Sequence, residues 1–166
     1  MSKPVVLKSA AMGGAVVALA LMVATPLAWG AVCTVTALPV AFGIYNPLSV
    51  PPNLSTGSVT VICLPVLVPV GESYTVGLST GGSSSFAARR LVAGANMLQY
   101  QLYADAPRST VWGDGSVGSS TVAGSFSLSV LMPVSATHIV YARMPAHQSS
   151  AAAGAYSDTI MVTVTY

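Results

Sequence analysis

Charge is scarce in this chain of 166 residues, in which Asp, Glu, Lys and Arg together account for 6% of positions. Two of the six cations, Lys3 and Lys8, stand near the N-terminus. After residue 30 the sequence contains four arginines and four carboxylates, so its net charge there is zero. Such a surface lacks the basic footprint of a nucleic-acid-binding protein. It also lacks the repulsion that keeps soluble monomers apart, so we expect the protein to associate with a partner.

The N-terminal part is positively charged at its start and then apolar over 10–24. This pattern, followed by small residues, is typical of a secretory signal peptide, with cleavage after Gly30 or, earlier, after Ala20. We therefore predict a signal peptide over 1–30 and one domain over 31–166, which is long enough to bury a core. An uncleaved membrane anchor is the alternative, although glycine and proline interrupt the apolar run.

Cysteine is rare, and the chain contains only Cys33 and Cys63. An even number of cysteines in an exported chain favours a disulfide. Joining these two would close a loop of about 30 residues and stabilise the fold by roughly 3–4 kcal/mol. Two buried free thiols are the alternative. No Cys-x-x-Cys redox motif occurs, and neither cysteine has neighbouring histidines or carboxylates that would complete a metal site.

The residue types that enzymes use are thinly spread along the chain. The four carboxylates form no pair at a spacing that suggests a shared site, and no Gly-x-Ser-x-Gly turn presents a nucleophile. Of the two histidines, His138 falls in a predicted strand and His147 in a predicted loop. We predict no catalytic site, no metal and no cofactor. A hydrolase that uses one of these histidines is kept as an alternative.

Short alternations of apolar and polar residues recur after residue 30, separated by Gly, Pro and Ser, and no convincing amphipathic helical stripe is present. Many short strands at this spacing predict an all-β fold, an antiparallel β-sandwich, with a closed barrel as the alternative. The runs predicted as strands are 32–38, 40–45, 58–63, 73–79, 97–104, 125–131, 137–143 and 156–166, and 46–56 and 81–85 are predicted loops.

The last eleven residues, YSDTIMVTVTY, form the most regular of these alternations. Ile160, Val162 and Val164 share one face, and the opposite face is mostly threonine, which predicts a half-buried strand. The sequence ends on this strand with no turn and no returning partner.

Two further motifs have structural interpretations. The stretch GDGSVG at 113–118 matches the dinucleotide-binding glycine pattern, but SSTV follows it where that site requires a helix. We predict a turn built on Asp114 and Gly115. The apolar run LPVLVPV at 64–70 contains two prolines, which disfavour a central strand. This run either packs on the core or at an edge, or forms an exposed adhesive patch.

Several stretches, in this order, resemble the spore coat protein U domain family: CTVTALPVAFGIYNPL, GSVTVIC, FAARRL, LQYQLYAD, VWGDG and VYARMPAHQSSAAAGAYSDTIMVTVTY. The family includes secreted spore-coat proteins and subunits of archaic chaperone–usher pili. The resemblance implies an immunoglobulin-like sandwich that lacks its last strand. A periplasmic chaperone would lend that strand during export through an outer-membrane usher, and a neighbouring fibre or coat subunit would replace it.

The resemblance thus implies a structural or adhesive subunit of a surface fibre or coat, exported through the periplasm to the cell surface, a fimbrium or the extracellular space. Within it, we predict that Ile160, Val162 and Val164 line the acceptor groove. Cleavage after Gly30 would leave too short an extension to donate a strand, which favours a fibre-tip or coat position. A self-sufficient secreted β-sandwich that binds a partner through its loops is the alternative function.

Overall fold

The computed structural model describes residues 32–65, 70–128 and 132–166. These residues form eight β-strands, and the only helical element among them is one 3-10 turn, Gly81–Ser83. In chain order the strands are β1 (Cys33–Leu38), β2 (Asn53–Cys63), β3 (Val70–Leu78), β4 (Arg89–Ala93), β5 (Asn96–Tyr103), β6 (Val122–Leu128), β7 (Val134–Met144) and β8 (Val162–Thr165).

The strands form two separate sheets. The larger has five strands in the order β1-β2-β7-β5-β4, and the smaller has three in the order β6-β3-β8. Every pair of neighbouring strands is antiparallel. The predicted all-β antiparallel sandwich is confirmed.

The core lies between the two sheets, because alternate residues of each strand point inward. The inward faces predicted for β2, β3 and β5 are confirmed, and each consists of three buried residues. These are Val59, Val61 and Cys63; Tyr74, Val76 and Leu78; and Leu98, Tyr100 and Leu102. Trp112, from the loop after β5, lies fully buried among them and donates its indole N–H to the carbonyl of Val76.

The predicted disulfide is present and joins Cys33 to Cys63. The two residues are direct partners in the register of β1 and β2. The bond therefore fastens the start of an edge strand to the end of the strand beside it.

Three sequence predictions on local structure are wrong, and one strand was not predicted. The segment 40–45 is not a strand, because Pro39 interrupts the β1–β2 ladder. β2 begins at Asn53, inside the predicted loop 46–56, because it pairs along its whole length with β7. The chain from Tyr156 is not one continuous strand, since only Val162–Thr165 pairs with β3 as a ladder. β4 was not predicted, because its two arginines obscure the alternation.

Several predictions fall outside the described residues. They are the signal peptide over 1–30, most of the apolar run at 64–70, and the last residues of the predicted strand 125–131. The membrane-anchor alternative falls there too. Within the part of the chain that the structure describes, no helix is long and apolar enough to cross a membrane.

Candidate functional site

The two sheets are unequal, and this inequality produces the candidate site. Three strands of the smaller sheet face five strands of the larger one. Among the described residues β8 pairs with β3 alone, so its other edge has no neighbouring strand. Part of the inner face of the larger sheet therefore has no strand opposite it.

Two cavities lie along this uncovered part. The smaller has a volume of about 250 Å³ and the larger about 880 Å³. They share four lining residues, Val40, Phe42, Leu91 and Asp158, so together they form one groove. We call this feature the seam groove.

The narrow part of the seam groove is almost wholly apolar. Its floor is the inner face of the larger sheet, represented by Val59, Leu102 and Val140, and its wall on the smaller sheet includes Leu78. Its opposite lip runs from Ala37 to Phe42. An extended segment that entered here would contact apolar side chains on three sides.

Two of the three residues predicted for an acceptor groove lie in this wall. Ile160, just before β8, and Val162, its first residue, line the narrow cavity. Val164 faces the core as well, but it packs farther along the sheet and does not line either cavity. All three are half-buried, and whether they receive a strand stays a prediction.

The lip has unusual backbone bonding. After Pro39, the chain runs beside β2 without a backbone ladder, and side chains of β2 bridge the space instead. The Ser55 hydroxyl donates to the carbonyl of Ala41 at 2.6 Å, and the Asn53 amide donates to the carbonyls of Phe42 and Ile44 at 3.4 and 3.1 Å. Among the described residues, no backbone N–H from 40 to 45 has a hydrogen-bond acceptor. No pattern in the sequence predicts this arrangement.

Asp158 is the one charged residue of the seam groove, and it marks the point where the chain changes sheets. Ser157 pairs with Val92 of the larger sheet, and β8 joins the smaller sheet four residues after Asp158. The Asp158 carboxylate accepts hydrogen bonds from the Tyr100 hydroxyl at 2.6 Å and from the Gly82 N–H at 3.0 Å. It thereby ties the crossing segment to β5 of the larger sheet and to the 3-10 turn that follows β3.

These hydrogen bonds of Asp158 affect the pKa of Tyr100 and the side chains that the neighbouring turn can accept. The pKa of Tyr100 is raised mainly by burial and secondly by the hydrogen bond to Asp158. The phenol therefore stays protonated and remains a donor. Gly81 has φ +66°, and any side chain there would collide with the Asp158 carboxylate. Asp158 lies within the family-like C-terminal stretch, but no sequence pattern predicted a role for it.

Arg89 stabilises the end of β3, close to this junction, through hydrogen bonds. It is fully buried, and its guanidinium donates to the carbonyls of Ser79 and Trp112 and to the side chain of Gln101. Burial lowers its pKa. These bonds fix the end of β3, which forms part of the groove wall.

The histidines are placed apart. His138 lies between the sheets, where its Nε2 is 2.8 Å from the Tyr74 hydroxyl, while His147 is exposed in the loop after β7. Within the described ranges, no group of three His, Cys, Asp or Glu side chains is arranged to hold a metal ion. The GDGSVG stretch forms a turn, with Gly115 at φ +88° and the Asp114 carboxylate accepting from the Ser116 N–H.

The chain belongs to the Spore Coat Protein U domain family, whose model matches residues 18–163. The resemblance seen in the sequence motifs is thereby confirmed. The match begins inside the predicted signal peptide, at residue 18. A search of curated proteins found no match.

Two solved structures are similar to this chain. One is the chaperone–tip adhesion subunit pre-assembly complex from the archaic chaperone–usher Csu pili of Acinetobacter baumannii, with 16% identity and a TM-score of 0.46 over 81% of this chain. The other is a chaperone–tip adhesin complex of CFA/I fimbriae, with 14% identity and a TM-score of 0.41 over 79% of this chain. The matches span only 40% and 42% of those chains.

Proposed function

We propose that this protein is an exported structural or adhesive subunit of a surface fibre or coat, completed by a β-strand from a second polypeptide. The donated strand lies in the seam groove and extends the three-stranded sheet beside β8. In this proposal a periplasmic chaperone supplies the strand during export through an outer-membrane usher. Another fibre or coat subunit supplies it at the cell surface.

The observation that carries this proposal is the apolar groove beside the unpartnered edge of β8. Apolar surface that stays in water is unfavourable by about 25 cal/mol per Å², and unpaired backbone groups in a partly buried site add to this cost. An extended strand relieves both, because its alternate side chains fill pockets while its backbone bonds the edge.

The chemistry of the groove indicates which strand fits it. Its walls are apolar, and Asp158 is already engaged by Tyr100 and Gly82. A donor with large apolar side chains at every second position matches these walls, and a charged side chain pointing inward does not. The proposed role is binding and assembly, without catalysis.

The first prediction tests the groove wall. Val162→Asp places a charge against the apolar floor, so co-purification of the protein with its strand-donating partner is expected to be lost. Val162→Ala removes only part of the contact and is expected to weaken partner binding about tenfold, from a loss of roughly 1.5 kcal/mol.

Thr163→Asp is the matched control, because Thr163 is adjacent in β8 but lies on the outer, exposed face opposite Gly77. It should co-purify like the unmodified protein. Partner binding that is unaffected by both Val162 variants, measured on folded protein, would contradict the proposal.

A self-sufficient binding module is the second candidate, and one observation favours it. The loop before β2 exposes three large apolar side chains, Ile44 at 95%, Leu48 at 84% and Val50 at 76%. Scattered exposed residues are common, but three on one loop form a candidate contact surface. This function predicts a stable, monodisperse monomer, whereas an open seam groove predicts a protein that is unstable or self-associating alone.

A further inference from the structure

The outer face of the larger sheet carries the accessible positive charge of the described residues. Arg90 on β4 and Arg143 on β7 are both exposed and point away from the core. Arg108, from the loop after β5, lies over the outward-facing ring of Tyr141, with its Cζ 5.8 Å from the ring centroid. The fourth arginine, Arg89, is buried on the inner side.

Three of the four carboxylates lie elsewhere in the described structure. Glu72 is on the smaller sheet, Asp114 is in the turn beside Gly77, and Asp158 is in the seam groove. Asp105 is the nearest in sequence to Arg108, but its carboxylate accepts hydrogen bonds from Ser109 and Thr110. These bonds hold the pKa of Asp105 at about 2.

Two tyrosines stand beside these arginines. Tyr141 and Tyr103 are direct cross-strand partners, with Thr56 on the other side of Tyr141. Both rings are half-buried, and Arg108 is fixed over one of them because its Nε donates to the carbonyl of Ala142 at 3.2 Å. The face therefore combines rigid aromatic surface with guanidinium groups.

The spacing suits an extended ligand better than a single small anion. Tyr141 and Arg143 are two residues apart on one strand, or about 7 Å. The register places Arg143 beside Gln101, and Gln99 beside Arg90. Arg143 and Arg90 are thus about 12 Å apart, two strands across and two residues along.

We propose that this outer face binds an acidic polysaccharide whose sugar rings carry carboxylates. Guanidinium groups bind carboxylates through paired N–H donors. A tyrosine ring offers an apolar surface on which a sugar ring packs, with a polar tip at its edge. Three spaced arginines, on a chain whose net charge after residue 30 is zero, do not form the dense positive patch that a phosphate backbone requires. This site is on the opposite side of the sheet from the seam groove and is independent of strand donation.

The test measures binding of purified protein to polygalacturonate, with neutral dextran as the uncharged polysaccharide and polyacrylate as the polyanion without sugar rings. The expected result is binding to polygalacturonate alone, weakened by raising NaCl from 50 to 500 mM. Arg143→Gln is expected to weaken it at least fivefold. Tyr141→Leu should weaken it by a similar factor.

Arg143→Gln makes the net charge one unit more negative. Asp114→Asn is the control for net charge, because it makes the protein one unit more positive at a position away from this face and keeps the acceptor for Ser116. It should leave binding unchanged, and thermal unfolding of each variant verifies that the fold is retained. Equal binding to dextran, or an unaffected Arg143→Gln protein, overturns the proposal. Equal binding to polyacrylate also overturns it, as does an effect of Asp114→Asn as large as that of Arg143→Gln.

Discussion

At the scale of single residues, the guanidinium of Arg89 is both buried and fully hydrogen-bonded. A buried charge is unfavourable unless its donors are satisfied, and here the carbonyls of Ser79 and Trp112 and the side chain of Gln101 accept them. No carboxylate among the described residues forms an ion pair with it. Arg89 therefore acts as a planar hydrogen-bond donor that joins a strand end to a loop, a role that suits guanidinium better than ammonium.

Replacing this arginine tests its structural role. Arg89→Met leaves the carbonyls of Ser79 and Trp112 buried without donors, so we expect the free energy of unfolding to fall by about 2–4 kcal/mol. Arg90→Met is the control, since Arg90 is exposed on the next position and should change stability by less than about 0.5 kcal/mol. Denaturant unfolding of both variants measures the difference. Equal stabilities would show that the buried hydrogen bonds contribute nothing net.

His138 predicts a pH dependence of stability. Burial lowers the pKa of His138 below its ordinary value of 6.5, and burial raises the pKa of its partner Tyr74. Below pH 6.5 the unfolded chain therefore binds a proton that the folded protein resists, so stability is expected to fall as the pH falls from about 6.5. The measurement is thermal unfolding between pH 7.5 and 5. His138→Gln should flatten this slope.

At the scale of elements, the edge strand β1 depends on few attachments. It pairs with β2 alone, and all of its residues after Cys33 are exposed. The disulfide fastens its first residue, and Pro39 ends its ladder at the other side. Its position beside the lip of the seam groove makes this weakly held strand part of the site.

Removing the disulfide should therefore loosen one specific strand. The double substitution Cys33→Ala with Cys63→Ala is expected to lower the free energy of unfolding by about 3 kcal/mol in the chain-entropy description. Hydrogen exchange should accelerate most in β1, and Thr137→Ala on β7 should leave β1 unchanged. A double variant with unaltered exchange in β1 would contradict this account.

At the scale of the whole molecule, the mismatch between five strands and three is the basis of the proposed function. A sandwich with equal sheets would cover its own core. This one leaves the seam groove beside β8, and a second polypeptide is proposed to fill it.

Co-expression with the cognate chaperone tests this description of the whole molecule. We expect a large rise in soluble yield and slower hydrogen exchange along Thr159–Tyr166 in the complex, because the donated strand pairs with the free edge of β8. Protection in β2 and β7, which pair over eleven positions, should change little. A lone protein in which the β8 amides that face away from β3 are already protected would contradict the proposal.

Much of this fold could be predicted from the sequence, because strand alternation is a local property. The period of two identified the inward sets of β2, β3 and β5, and it placed Ile160, Val162 and Val164 on one half-buried face. The count of two cysteines sufficed for the disulfide. The scarcity of charge and the absence of a helical stripe pointed to a β-rich protein that associates.

The seam groove, by contrast, required the tertiary structure, because no local pattern records which strands become neighbours. The sequence could not show that Asn53 and Ser55 would hold the segment after Pro39 by side chains alone. Nor could it show that Asp158 would join Tyr100 to the turn at Gly82, or that Val164 would lie outside the cavities while Ile160 and Val162 line them. These features depend on contacts between residues far apart in the chain, so only the packing of the two sheets determines them.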